Sequence, residues 1–353
     1  MKFSKIINFK YYEYTNNNRK KEMKIVYLCC KEEVTRETGD DLPRETKFYS
    51  ADLQNIDLLK ENHEVITIDV NSNYLEKIKE LSPDLIFNAA DAFSNIYEEV
   101  NLVKSLEDLE IHFTGCNSYT TLLASNKGEA KKLLDKNKIS TANFQIFNNK
   151  EELLDKTLEF PLILKPTKSD ASNGIDEDSV VYDEKSLRKK LDSLFIDYDQ
   201  ILVEKYIDGR EFCIPVIGNN EIKVLPILEI DYSQHFENKP KILSFKAKWS
   251  KNSNAFKNTY SGVAKNLDME LENSLKEIAK KVYSLLGCNG YASVDVRLDS
   301  QGNIYVLELN PNCYIAKDCD IFKSALEIGI TNIELVNKIC EVALSKKINL
   351  LVN

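Results

Sequence analysis

Long apolar runs are missing from this chain of 353 residues. No stretch approaches the roughly 20 consecutive apolar residues that a membrane-spanning helix needs, so no membrane partner is expected. Positive charge is also in short supply. Lys and Arg number 47 against 56 Asp and Glu, a net charge of −9, which leaves no bulk positive field to hold nucleic acid or an anionic surface. Zinc patterns are absent too: the eight cysteines, at 29, 30, 116, 213, 288, 313, 319 and 340, include no Cys-x-x-Cys pair and no His at partner spacing,. They fall mostly in apolar runs and read as reduced, buried thiols; Cys313 and Cys319 flank one loop. The first 22 residues have neither an apolar h-region nor a small-residue cleavage site,. They are expected to be a loosely attached extension of a cytoplasmic protein whose folding begins near Met23. No internal repeat or low-complexity linker interrupts the chain.

What is present is ordinary for a folded protein, with 43% hydrophobic and 29% charged residues, enough for two or three domains. The most informative stretch is Tyr291 to Asn312, YASVDVRLDSQGNIYVLELNPN. Two β-branched runs around the turn-forming DSQGN predict a β-hairpin. With a side-chain period of two, Ser293, Asp295 and Arg297 share one face, as do Glu308 and Asn310 on the partner strand. If the polar faces coincide, Asp295, Glu308 and Asn310 converge. Two carboxylates about 4 Å apart repel by roughly 4 kcal/mol at an effective dielectric of 20, which calls for a cation. All-oxygen donors suit magnesium. A plain two-stranded ribbon with a wet polar face fits this stretch alone equally well, although LELNPN, with its strand-ending proline, looks placed.

Upstream, MKIVYLCC (Met23 to Cys30), EVITIDV (Glu64 to Val70) and DLIFNAA (Asp84 to Ala90) read as buried strands. A loop is expected after the first, the helix NYLEKIKEL lies between the others, and a further helix runs from about Tyr97 to Leu109 before IHFTG closes the unit. The alternation favours a parallel α/β sheet, with ligands at the rim formed by Cys30 to Asp41 and Ala89 to Asn95. SNKGEAKKLLDKN (Ser125 to Asn137) reads as a surface helix with leucines on one face and lysines on the other,. NFQIF and FPLILKP are strands around a predicted helix EELLDKTL, and Lys165 ends the second. The loop Thr167 to Ile175 is built of small and hydroxyl residues. With Gly174 free to take a positive φ, it could lay backbone N–H groups against phosphate, although most loops of this composition are only loops. DSVVYD gives a further strand and SLRKKLDSLF a helix. Gln200 to Gly218 breaks into two strands at Asp208 and Gly209, where a flat ring could bond the exposed backbone or a plain hairpin could turn. Ile222 to Ile230 and Lys241 to Trp249 read as strands, the second placing Lys246 and Lys248 on one face. Leu267 to Leu286 is a long helix ending at Gly287, and two more helices, Asp320 to Gly329 and Thr331 to Lys347, follow the hairpin.

Taken in order, Lys127, LILKP, the small-residue loop, LVEKYIDGREF, KAKW and DVRLD…LELNPN resemble the ATP-grasp enzymes of the D-alanine-D-alanine ligase-like branch, from about Met23 onward. The resemblance implies a mixed α/β (α+β) fold: an N-terminal α/β domain over 23–118, a central subdomain over 119–203 and a C-terminal subdomain over 204–353, the last two clasping ATP. It implies that Lys127 and Lys165 touch the nucleotide phosphates, that Ser172 and Gly174 cover them, that Glu204, Lys205 and Ile207 hold adenine, that Glu211 holds the ribose and that Lys248 is a further phosphate contact. Asp295, Glu308 and Asn310 match the magnesium ligands, with two ions expected and manganese able to substitute. The implied reaction is attack of a carboxylate on the γ-phosphate, giving an acyl phosphate that an amine opens with release of ADP and phosphate. The substrates would be a small carboxylic acid and an amine, and a homodimer is one assembly to expect.

Departures bear on the substrate. The dipeptide ligases have an arginine, which steadies the oxyanion, where Ser293 stands; Arg297 on the same strand face is the candidate replacement. Trp249 and Ala171 stand for a tyrosine and a serine, CYIAKD lacks the serine that holds the second substrate, and AADAFSNIYEEV replaces a glycine-rich region. Two D-alanines are therefore not the expected pair. Two other readings remain open at this stage: acyl transfer to a carrier-protein thiol or peptide, and a nucleotide-binding protein without ligase activity.

Overall fold

Three short apolar runs pair as a parallel sheet ordered β2-β1-β3, with β1 at Lys24–Cys29, β2 at Glu64–Asp69 and β3 at Leu85–Asn88. The computed structural model describes residues 22–30, 44–90, 95–169, 172–232, 239–250 and 252–346. Most of the proposed rim from Cys30 to Asp41, and residues 91–94, lie outside that set. The connection from β1 to β2 was expected to be a loop; it carries a helix, α1 (Arg44–Lys60). Two further helices, α2 (Tyr74–Leu81) and α3 (Ile96–Glu107), cover the opposite side of the sheet through Ile78, Leu102, Val103 and Leu106.

Two capped helices follow, α4 (Ser118–Ser125) and α5 (Lys127–Lys136); the side chain of Asn126 between them accepts from Glu129 N and starts the second,. The next sheet is antiparallel, ordered β4-β7-β5-β6, from β4 (Phe144–Phe147), β5 (Leu162–Pro166), β6 (Val180–Val181) and β7 (Ile201–Lys205), with α6 (Glu184–Leu194) packed on it. The predicted helix EELLDKTL is instead a set of turns. Side chains take backbone donors in and beside this segment: Glu152 Oε1 accepts from Asn148 N, Gln145 Oε1 from Asp155 N and Asp155 Oδ1 from Thr157 N,.

The largest sheet is ordered β11-β10-β8-β12-β13, with β9 paired to β8. Its strands are β8 (Arg210–Gly218), β9 (Ile222–Val224), β10 (Leu228–Asp231), β11 (Tyr260–Val263), β12 (Gly290–Leu298) and β13 (Ile304–Pro311). Between β10 and β11 lie the short helices α7 (Phe245–Trp249) and α8 (Asn254–Lys257). FKAKW alternates like a strand, yet it forms α7 because the Ser244 hydroxyl accepts from Ala247 N and caps a turn. The long helix α9 (Met269–Leu285) packs Leu275, Ala279 and Val282 against β8 and β12. After β13, α10 (Asp320–Glu327) and α11 (Asn332–Leu344) pack on the first sheet through Phe322, Leu335 and Ile339.

Two of the contacts that join the sheets lie near residues 115 and 141. Asn312 Oδ1 accepts from Cys116 N at 2.6 Å, and Gly115 must be glycine there: its φ is +94° and a Cβ would lie 2.2 Å from that oxygen,. Thr141 bridges Val306 in parallel, with Val306 N donating to Ser140 O at 2.9 Å and Thr141 Oγ1 donating to Val306 O at 2.8 Å. None of the eight cysteines is joined in a disulfide. No helix among the described residues is long and apolar enough to cross a membrane.

One half-buried carboxylate supports a stability prediction. Asp52 accepts from the Tyr27 hydroxyl at 2.8 Å, but burial pushes its carboxyl up from 3.8 to about 6,. Its contribution to folding is therefore fully present below about pH 4 and lost as pH rises through 6,. Asp52→Asn keeps an acceptor for Tyr27 and is expected to raise stability at pH 7.5 by about 1–3 kcal/mol, with no gain at pH 4. Denaturant midpoints at the two pH values check this; equal midpoints at pH 7.5 would refute it.

Candidate active site

The antiparallel register of β12 and β13 puts Asp295 opposite Glu308 and Ser293 opposite Asn310, with a bulge between Asp295 and Val296. Asn310 Nδ2 donates to Asp295 Oδ2 at 2.8 Å, so the two carboxylates and the amide meet on one face. Burial first, and then Glu308, push Asp295 up to about 7. Burial also acts to raise Glu308, but the ammonium groups of Lys127, Lys248 and Lys165 outweigh it and hold that carboxyl down at about 2. The donor set is hard oxygen throughout, including the Asn310 Oδ1 left over by the bond to Asp295, and it fits a divalent cation such as magnesium. No group of three or more His, Cys, Asp or Glu is placed to hold a metal among the described residues, so the amide would have to serve as the third ligand.

This pair forms one wall of an open cleft. Across from it, β5 presents Ile163 and Lys165, β7 presents Glu204 and Lys205, the chain turn after β7 presents Tyr206 and Ile207, and α7 presents Lys248. Lys246 is exposed instead, so the two lysines do not share a face as a strand would have had them do. Lys127, the first residue of α5, sits 3.2 Å from Glu308 Oε2 and donates to Ser169 O at 2.6 Å. It thereby joins the phosphate-type loop to the metal-type hairpin.

The loop folds back over the cleft. Ser172 has a φ of +62° and donates its hydroxyl to Leu243 O at 2.8 Å, and Phe245 N donates to Ile175 O at 3.2 Å. A Cβ at Gly174, whose φ is +75°, would lie 2.7 Å from Pro166 Cγ, so only glycine lets the loop close this tightly.

Two residues expected at the nucleotide do something else with their side chains. Glu204 is 1% exposed and is shared between Lys131, 2.6 Å from Oε2, and Lys165, 2.7 Å from Oε1. Burial acts to raise Glu204 and to lower both lysines. The two ammonium groups nevertheless hold the carboxyl below its usual range, and Glu204 and Glu308 hold Lys165 above its own, whereas for Lys131 burial prevails and the group sits low. Lys205 donates its ammonium to Glu159 O and Phe160 O at 3.1 and 3.0 Å, which turns the charge toward the start of β5.

Arg297 does not suit the oxyanion role suggested for it. It is 4% exposed, its Nε and Nη2 both donate to Glu211 Oε2, at 3.0 and 2.6 Å, its Nη1 donates to Ile207 O at 2.6 Å, and Nη2 also reaches Lys241 O. The guanidinium lies 5.3 Å from the centre of the Tyr206 ring and 5.9 Å from that of Tyr232. Four of its five N–H donors are taken by Glu211, Ile207 O and Lys241 O,, so the arginine braces one end of the cleft. Glu211 takes Arg297 and the Tyr232 hydroxyl on Oε2, leaving Oε1 for the cleft it lines.

Lys131 was read as part of a surface lysine face and is fully buried instead. The signal was available: Lys127, Lys131 and Leu134 stand at i, i+4 and i+7, one stripe of the helix.

A family model described as the C-terminus of D-ala D-ala ligase matches residues 133–341. The chain is 29% identical over 332 residues to a D-alanine–D-alanine ligase of Carboxydothermus hydrogenoformans, covering 90% of this chain and 97% of that one. It is 28% identical over 290 residues to an uncharacterized protein of Sinorhizobium fredii, 80% of this chain and 83% of that one. Among solved structures, D-alanine–D-alanine ligase from Bacillus anthracis aligns with a TM-score of 0.72 at 26% identity over 91% of this chain and 97% of its own. A D-Ala:D-Ser ligase from Enterococcus faecalis, 19% identical, shares the fold with a TM-score of 0.68 over 91% of this chain and 99% of its own.

Proposed function

The chain belongs to the D-ala D-ala ligase family, and from that membership and the geometry of its cleft we propose that it joins a carboxylic acid to an amine through an acyl phosphate. It is an ATP-dependent ligase with the ATP-grasp fold. The observation that carries the finer reading is the cleft itself, in which lysines from three separate elements face an in-register carboxylate pair. Phosphoryl transfer asks a protein mainly to position groups and neutralise charge, and this wall of ammonium groups opposite hard oxygens supplies both.

In the proposed site, the subdomains over 119–203 and 204–353 clasp the nucleotide. Asp295, Glu308 and Asn310 would hold magnesium, whose charge would offset that of the transferring phosphate. Lys127, Lys165 and Lys248 hold phosphate oxygens. The loop carrying Ser172 and Gly174 shuts water out through its bonds to Leu243 and Phe245. Ile163, Ile242 and the backbone at Tyr206 and Ile207 form an apolar slot for a flat ring, and Glu211 Oε1 accepts from a sugar hydroxyl.

The acid and amine are proposed to differ from two D-alanines. Ser293 stands where the resemblance places an arginine, and Arg297 has four of its five N–H donors engaged by Glu211, Ile207 O and Lys241 O,. The D-Ala:D-Ser ligase with the same fold is a reminder that this architecture does not fix the acceptor. No contact in the cleft favours a carrier thiol or a protein without turnover. Purified protein with ATP and Mg²⁺ is expected to release ADP and phosphate only when a matching acid and amine are both present, with two D-alanines at least about tenfold slower than the best pair. A screen for ADP over acids and amines tests both parts. Release of AMP would overturn the reaction class, and D-alanine as the best pair would overturn the substrate proposal.

A further inference from the structure

Lys131 is 1% exposed in the middle of α5, and no step of the proposed reaction uses it. Its ammonium lies 2.6 Å from Glu204 Oε2 and donates to Thr141 Oγ1 at 2.5 Å. Thr141 in turn donates to Val306 O on β13. The other oxygen of Glu204 lies 2.7 Å from Lys165, and Lys165 reaches the cleft. One interior carboxylate is thus shared by two ammonium groups, one walled into the core and one facing the site.

The electrostatic consequence follows from counting charges. The trio carries one net positive charge; without Lys131, Glu204 and Lys165 would be a neutral ion pair, and the field that Lys165 offers to an anion would collapse. We propose that Lys131 is a positioning residue for Lys165: by engaging one oxygen of Glu204 in the interior, it leaves the charge of Lys165 available to the polyphosphate of a nucleotide. Its bond to Thr141 fixes the trio relative to the strand that bears Glu308. This inference rests on the nucleotide reading of the cleft given above.

Calorimetric titration of the full chain with ATP and with adenosine, which lacks phosphate, tests it. K131M is expected to weaken ATP binding by about tenfold or more and adenosine binding by less than about threefold. In K131M/E204Q the net positive charge returns to Lys165, and ATP affinity is expected to recover to within about threefold of wild type. Equal losses for ATP and adenosine, or no loss for either, would overturn the proposal. If K131M does not fold, the comparison moves to E204Q against K131M/E204Q. With no carboxylate left to share, removing Lys131 should change ATP affinity by less than about threefold, and a tenfold loss there would overturn it. A wild-type protein that binds ATP no better than adenosine would instead refute the nucleotide reading itself.

Discussion

Glu308→Gln is expected to lower ATP-dependent turnover by about 10²–10³-fold while leaving the fold intact. The size follows from its place in the hairpin: Glu308 faces Asp295 in register, and a neutral amide there removes one of two carboxylates available to a divalent ion. The stability effect should be small because two changes oppose each other. Asp295 loses the like charge that helps push it up to about 7, whereas Lys127 loses a partner at 3.2 Å and keeps its bond to Ser169 O. Turnover and melting temperature measured on the same preparation check this. Turnover within threefold of wild type would remove the hairpin from the chemistry.

Arg297→Met is expected to cost stability, by about 3–5 kcal/mol, because it strands a buried carboxylate. Glu211 would keep only the Tyr232 hydroxyl, and Ile207 O and Lys241 O would each lose a donor. Removing both charges, as in R297M/E211Q, should recover a large part of that loss. Urea denaturation of the single and double variants measures it. A single variant with wild-type stability and a lowered kcat would return Arg297 to the oxyanion role that the sequence suggested.

The hairpin was legible because strand parity is strict: a period of two forces Asp295 and Arg297 onto one face, and the turn at DSQGN leaves little freedom in register. What parity could not reveal is the third dimension. Arg297 shares a face with Asp295 but lies next to Glu211 on β8, a partner 86 residues away in sequence. The misread segments fail for local reasons. FKAKW is five residues long, too short for either period to declare itself, and a serine cap decided it. EELLDKTL has good helix formers, but Gln145, Glu152 and Asp155 offer the backbone competing acceptors,. Lys131 was hidden by its type, since lysine is almost never buried unless paired, and its partner Glu204 comes from β7, far along the chain from α5.

The seam between residues 140–141 and Val306 has a mechanical consequence. Backbone and hydroxyl bonds there resist sliding along the strand, because a slip would break them together, whereas rotation about so short a contact disturbs few of them. Rotation is limited in turn by the bonds from Arg297 to Ile207 O and from Ser172 to Leu243 O, which join the same two parts of the chain at other points.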